Sequence, residues 1–430
     1  MADFKHPETI GLHGSDYRSD SATTAVAVPI YQTTSYQFKN AETAANLFGL
    51  KEFGNIYSRL GNPTVGALEA RLTALEEGAM CVALSSGTSA VMYSLINIMS
   101  QGDNFVTANQ LYGGTYTMFD NILPEYGIDS KKVDITDLKA VEDAIDDKTR
   151  AIYCETITNP GLVVADVTAL SEIAHSKGIP LIVDATFTTS AIQKSFEFGA
   201  DIVVYSLTKW MSGHGRVIAG AVIEKGGFEW GNGNFPLYDK PDTSYGGMRW
   251  GHDLGDLSSV AYSLRLRTVP LRNLGANMSP ETAFEVMSGL ETLGLRMDRH
   301  CENAIKAAEY LSDHELVEWI RYPGLKDDPA YELSEKYLKG TGGTMVVFGI
   351  KGGKDAGQKF IDNLKMFRHV ANVGDTRSLA IHPASTTHSQ LDDEQLVAAG
   401  APPELVRLSI GIEDIEDIIE DLSQALESTR

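Results

Sequence analysis

Ala200-Asp-Ile-Val-Val-Tyr-Ser-Leu-Thr-Lys-Trp-Met-Ser-Gly-His-Gly215 runs from a short apolar segment into a polar turn. Residues 202–205 have the length and β-branched content of a buried strand. Gly213 and Gly215 close the turn, and Ser206, Thr208 and Lys209 stand at the join. A lysine just past a buried strand has two readings. Either it snorkels to solvent, or it is a partly desolvated, nucleophilic amine. The hydroxyls of Ser206 and Thr208 suit a site that also holds an anion.

A second apolar run, Pro180-Leu-Ile-Val-Asp184, ends in an aspartate. Alone, such a residue is commonly a helix cap or a turn residue. Two successive strand ends, one bearing Asp184 and the next Lys209, fit a single task. That task is to hold pyridoxal phosphate (PLP). Lys209 would be its Schiff base, and Ser206 and Thr208 would serve its phosphate. Asp184 would keep the ring nitrogen protonated, which the electron sink requires.

The same alternation extends along the chain. Residues 80–99 read as strand, small-residue turn and helix, and 103–108 as a strand before a helix opened by 111–115. Strands follow at 150–155, 180–184, 201–205 and 217–224, with a helix at 167–177. Repeated strand–helix units imply an α/β fold with a mostly parallel sheet, covered by helices on both faces. Ligands in such sheets bind outside the carboxyl ends of the strands. Gly87 and Thr88 lie at one such end, where free helix amides suit a phosphate. Tyr112 lies at another, as a ring-stacking residue or a core aromatic. Asn159 there is a turn residue or a donor to substrate.

Residues 1–60 read as an extended arm with a short helix near 40–48. Tyr57 and Arg59 project together from an extended segment. They either clamp a phosphate or mark the entrance of the helix at 65–77. Residues 225–256 are rich in Gly, aromatic residues and Pro and read as a long irregular segment of the kind that forms lids. Beyond it lie strands at 317–321, 345–350, 379–382 and 405–410 and helices from 279, at 356–367 and at 415–426. The expected division is an arm at 1–60, a large domain at 61–270 and a smaller α/β domain at 271–430. Arg407 stands inside an apolar strand, where it is costly unless paired. A substrate carboxylate or a structural acid would serve. His382 and His388 lack a third ligand at usable spacing, so no metal is expected.

Composition narrows the function. With 58 acidic against 36 basic residues, the net charge of −22 argues against binding nucleic acid or an anionic membrane. Cys81, Cys154 and Cys301 offer neither a disulfide framework nor a CxxC pair. The first residues lack a signal peptide's apolar core and no run approaches a membrane span, so a cytoplasmic location is expected.

Motifs along nearly the whole chain resemble the PLP-dependent enzymes of cysteine and methionine metabolism, which have fold type I, the aspartate-aminotransferase-like fold. They are Tyr57-Ser-Arg-Leu-Gly-Asn-Pro-Thr64, Ser85-Ser-Gly-Thr88, Tyr112-Gly-Gly-Thr115, Asn159-Pro160, Val183-Asp-Ala-Thr-Phe187, Tyr205-Ser-Leu-Thr-Lys209, His382-Pro-Ala-Ser385 and Arg407-Leu-Ser-Ile-Gly411. The resemblance implies that Lys209 is the Schiff-base lysine and proton shuttle, that Asp184 pairs the ring nitrogen, and that Tyr112 stacks on the ring. It implies cofactor contacts from Ser86, Gly87, Thr88, Thr186, Ser206 and Thr208, and from Tyr57 and Arg59 of a neighbouring subunit. It implies that Asn159, Ser378 and Arg407 hold the substrate carboxylate. A homodimer that completes the sites, paired into a homotetramer, is implied as well. Two stretches, 274–300 and 374–391, are similar to the branch that joins O-acetylhomoserine to sulfide or a thiol. Cystathionine γ-synthase and γ-lyase chemistry are the alternatives. Ala185 and Thr189 depart from the family's usual Asn and Pro, which bears on substrate preference rather than on the cofactor.

Overall fold

The computed structural model describes residues 4, 6–14, 19–386, 389, 392, 394, 396 and 400–430. His388 lies outside the described residues. The large sheet contains β1 (Met80–Leu84), β2 (Asn104–Ala108), β3 (Asp129–Val133), β4 (Thr149–Glu155), β5 (Leu181–Asp184), β6 (Ile202–Ser206) and β7 (Gly220–Glu224). Its order is β1-β7-β6-β5-β4-β2-β3. β7 runs antiparallel to β1 and β6, and all other pairs are parallel. The carboxyl ends of β1, β2, β4, β5 and β6 therefore share one edge, where β7 begins.

Ile202, Val203, Val204 and Tyr205 are all fully buried. Successive strand side chains point to opposite faces, so both faces of β6 are covered. The helix Gly87–Ile96 packs on β6 and β7, and the helix Val167–Ser176 packs on β4 and β5. This is the expected mostly parallel α/β architecture.

The second sheet contains β8 (Val317–Arg321), β9 (Met345–Ile350), β10 (Arg368–His369), β11 (Leu379–Ile381) and β12 (Leu405–Ser409), ordered β10-β11-β12-β9-β8. Only β10 and β11 pair in parallel. The helix Leu293–Ser312 bridges two hydrophobic cores. Its Leu293, Met297 and Cys301 join the core of the large sheet. Its Ala304, Ala307, Ala308 and Leu311 join a second core with Phe348, Phe360, Leu408 and Leu422.

Several elements differ from the sequence expectation, each for a physical reason. β3 is polar, Asp-Ser-Lys-Lys-Val, and escapes a search for apolar runs because it is an edge strand paired only with β2. The arm carries a helix, Pro7–His13, that packs on the helices Pro63–Glu76 and Leu293–Ser312. The expected arm helix is present as Ala41–Phe48, with Asn40 capping it through an acceptor to Thr43 N at 2.7 Å. β7 starts later than residue 217, because Ala219 pairs with the Thr208 hydroxyl instead of a strand. Segment 225–256 is anchored by Trp230, Phe235, Tyr238 and Trp250, each at most 2% exposed. Among the described residues, none of this segment lines the site cavity. Among the described residues, no helix is long and apolar enough to cross a membrane.

Candidate active site

The strand ends converge on a cavity of about 250 Å³. Of the residues singled out from sequence, Ser86, Gly87, Thr88, Tyr112, Asn159, Asp184, Thr186, Ser206, Thr208, Lys209 and Arg407 all line it. Tyr57, Arg59 and Ser378 do not.

One wall is built to receive an anion. Ser86 caps the helix Gly87–Ile96, its Oγ accepting from Ser89 N at 3.0 Å. The first bond of that helix runs from Ala90 N to the Ser86 carbonyl, which leaves the amides of Gly87 and Thr88 ahead of it. Ser206 and Thr208 face this turn from the end of β6. The approach is close: a Cβ on Gly87 would stand 2.5 Å from Ser206 Cβ. A Cβ on Gly220 would stand 2.1 Å from the Ser86 carbonyl oxygen, which is backbone and cannot give way. Both positions therefore require glycine. Free helix amides, the helix dipole and two hydroxyls are the donor set of a phosphate cradle.

Asp184 stands at the end of β5. Its Oδ1 accepts from Thr186 N at 3.0 Å and its Oδ2 accepts from the Tyr153 hydroxyl at 3.2 Å. Burial raises its pKa above the ordinary carboxylate value. Among the described residues no cation pairs with it, so a cationic ring nitrogen is the kind of partner this carboxylate lacks.

Lys209 follows β6 in the turn. Its Nζ donates to Asn372 Oδ1 at 2.5 Å. Burial first, and then the charge of Arg407, hold its pKa down at about 8. An amine so placed has an available lone pair near neutral pH, as a nucleophile or proton shuttle needs.

Arg407 projects from β12, the second sheet, into the same cavity. Nη1 donates to Asn159 Oδ1 at 2.8 Å and Nη2 to the Asn372 carbonyl at 3.4 Å. Burial lowers its pKa to about 10. Among the described residues no acid pairs with it, so the structural-acid alternative is not realised. A buried guanidinium with only neutral partners can take a carboxylate from a ligand.

Ser378 lies outside the cavity lining. It is fully buried, its Oγ donates to Glu413 Oε2 at 2.9 Å, and the Ser378 Oγ in turn accepts from Gly411 N. It secures the end of β12 and does not reach the cavity. Asn372, on the loop before β11, stands in the cavity instead, touching both Lys209 and Arg407. Glu155, at the end of β4, also lines the cavity. A glutamate ending an apolar strand carries the same signal as Asp184 and was available in the sequence. His382 is a buried structural residue, with Nδ1 2.9 Å from Ser385 Oγ and Nε2 2.7 Å from the Pro403 carbonyl.

Tyr57 and Arg59 lie together outside the cavity of their own chain. The Arg59 guanidinium sits 5.1 Å from the centre of the Tyr57 ring. Tyr57 is 39% exposed, and Arg59 Nε is buried without a hydrogen-bond partner in the chain.

Comparison with known proteins agrees with this geometry. The pattern of the family described as Cys/Met metabolism PLP-dependent enzyme matches residues 8–427. The chain is 47% identical to the O-acetyl-L-homoserine sulfhydrylase of Leptospira meyeri, covering 98% of this chain and 97% of that protein. It is 44% identical to the homocysteine synthase of Schizosaccharomyces pombe, with 98% of each covered. A crystal structure of a putative O-acetylhomoserine (thiol)-lyase from Campylobacter jejuni, solved with a pyridoxyl-lysine phosphate group, superposes with a TM-score of 0.94 at 39% identity. That match covers 98% of this chain and 100% of the other. With that fold, that pattern and a cavity that offers a phosphate cradle, an unpaired carboxylate and a low-pKa lysine, the chain belongs to the PLP-dependent enzymes of Cys/Met metabolism, and pyridoxal phosphate is its cofactor.

Proposed function

We propose that the chain converts O-acetyl-L-homoserine and sulfide, or methanethiol, to homocysteine, or methionine, and acetate. The observation that carries this reading is the meeting of Lys209 and Asp184 with Arg407 and Asn159 in one cavity. The names of the relatives from Leptospira meyeri and Schizosaccharomyces pombe support the substrate assignment. Bound there, pyridoxal phosphate supplies an electron sink for negative charge beside the amino-bearing carbon.

The chain's own groups do the rest. Lys209 would carry the cofactor, and its amine would move a proton at the substrate's Cα and then at its Cβ. Asp184 would hold the proton of the ring nitrogen. Tyr112 would cover one face of the ring. Ser86, Gly87, Thr88, Thr186, Ser206 and Thr208 seat the cofactor. Arg407 and Asn159 orient the substrate by its carboxylate, and Asn372 parks the Lys209 amine. Val91, Ile157, Phe187 and Val373 give the cavity apolar wall, which limits water at the reacting carbons. The three unpaired, buried cysteines fit a reducing cytoplasm. Chain stripped of PLP should release no acetate from O-acetyl-L-homoserine. Restoring PLP and adding sulfide should yield acetate and homocysteine in equal amounts. Acetate release without PLP would refute the reading.

The arm belongs to this proposal. Tyr57 and Arg59 serve the phosphate of a partner subunit, which makes the dimer the complete unit and a tetramer its expected assembly. A permanent cation on a phosphate contributes roughly 1.5–3 kcal/mol. Arg59→Ala should therefore weaken PLP binding about tenfold or more. Mixing Lys209→Ala chains with Arg59→Ala chains, at a PLP concentration too low to load the latter alone and under conditions that exchange subunits, should restore activity, because one site of each mixed dimer keeps both residues. Verified exchange with no recovery would show that Arg59 acts within its own chain.

A further inference from the structure

Glu155 ends β4 with its carboxylate inside the protein, at 6% residue exposure. It holds two backbone amides from different walls of the cavity. Oε1 accepts from Tyr112 N at 2.8 Å and Oε2 accepts from Asn159 N at 3.3 Å. Tyr112 comes from the turn after β2 and opens the helix Gly113–Thr117. Asn159 comes from the loop after β4. Asn159 in turn receives Arg407 Nη1 on its Oδ1 at 2.8 Å. One carboxylate therefore begins a chain that runs to the guanidinium on the second sheet.

The position is costly. Among the described residues no cation pairs with Glu155, and its register partner on β5 is Asp184, a second acid. Burial, and then the charge of Asp184, raise the Glu155 pKa well above the ordinary value. A carboxyl group in such a place needs a return for its desolvation. Its two bonds supply one: each of its oxygens satisfies an amide that borders the cavity, and neither amide takes part in the sheet.

We propose that Glu155 is a positioning residue that fixes Tyr112 and Asn159 relative to each other, so that the ring-covering side chain and the carboxylate clamp keep one geometry. This rests on the reading of Tyr112, Asn159 and Arg407 given above. Without Glu155 both loops keep their residues but lose their common anchor, and the clamp should suffer more than the chemistry.

The test uses the holoenzyme and Glu155→Gln, which preserves shape but replaces one acceptor oxygen with an amide NH₂. That group faces one of the two backbone N–H groups, so one link is lost. The probe is butyrate, a carboxylate with no amino or leaving group, measured by calorimetry. Glu155→Gln should weaken butyrate binding about tenfold, the worth of one buried hydrogen bond. It should raise the KM of O-acetyl-L-homoserine by a similar factor, with a smaller change in kcat. On an Asn159→Ala background the same substitution should change butyrate affinity less than about twofold, because the two act through one path. Unchanged affinity in Glu155→Gln, or an equal loss on both backgrounds, overturns the proposal. Arg407→Ala is the control: if it too leaves butyrate binding unchanged, the clamp reading itself fails and the proposal falls with it. Should Glu155→Gln not fold, judged by the melting of the PLP-free chain, Glu155→Asp carries the same test. Its shorter stem reaches only one of the two amides, with the same two outcomes.

Discussion

Lys209→Ala should abolish turnover, with a loss of at least about 10⁴-fold. Two contributions vanish together. A positioned acid–base group supplies about 10²–10⁴ in rate, and the covalent anchor of the cofactor is lost as well. The structural cost is small by comparison. Among the described residues Lys209 makes one side-chain hydrogen bond, to Asn372, and its side chain borders a cavity rather than filling a core. The variant should therefore fold, retain the phosphate cradle and bind PLP reversibly. Borohydride treatment followed by mass spectrometry checks it. Wild type should carry the cofactor on Lys209 after reduction, and the variant should carry none. Cofactor fixed to the variant would mean that another lysine does this work.

Asp184→Asn should keep PLP bound and lower kcat by about 10³-fold, the scale of removing one preorganised electrostatic group. The substitution is nearly isosteric, and Oδ1 can still accept from Thr186 N. What is lost is negative charge at the end of β5. Burial alone raises the Asp184 pKa, which shows that the site disfavours an isolated carboxylate. A protonated ring nitrogen beside it would reverse that preference, because opposite charges stabilise each other's ionised forms. Asparagine would not, so the ring nitrogen would lose its proton and the electron sink would weaken. Steady-state kinetics with a separate PLP titration checks this. A near-normal kcat would remove Asp184 from the role.

The sequence made the strand-borne half of the site legible. Asp184 and Lys209 each interrupt an apolar run at its carboxyl end, where a charge has no packing reason to stand. Gly87 and Thr88 open a helix directly after a strand, and the structure explains the glycine: the beginning of β7 and the end of β6 press on that turn. What escaped depended on contacts between distant segments. Asn372 reaches Lys209 from the second sheet, across 163 positions of chain, and an asparagine in a polar loop carries no local signal of that. Ser378 drew attention through family likeness, yet its hydroxyl is committed to Glu413 and Gly411. Edge strand β3 escaped for the opposite reason, since its partly exposed, charged residues follow the needs of an edge rather than those of a core. Arg407 was visible as an anomaly, but only the three-dimensional arrangement shows that its partners are neutral amide and carbonyl oxygens.

The central claim is that this cavity performs γ-replacement on O-acetyl-L-homoserine with a small sulfur nucleophile. The measurement that tests it most directly is product analysis of the PLP-loaded enzyme given that substrate with sulfide, with cysteine, or with no thiol. The structure and its relatives predict homocysteine and acetate with sulfide, at a rate well above either other condition. Faster formation of cystathionine with cysteine, or equally fast release of 2-oxobutyrate and ammonia without any thiol, would contradict the account.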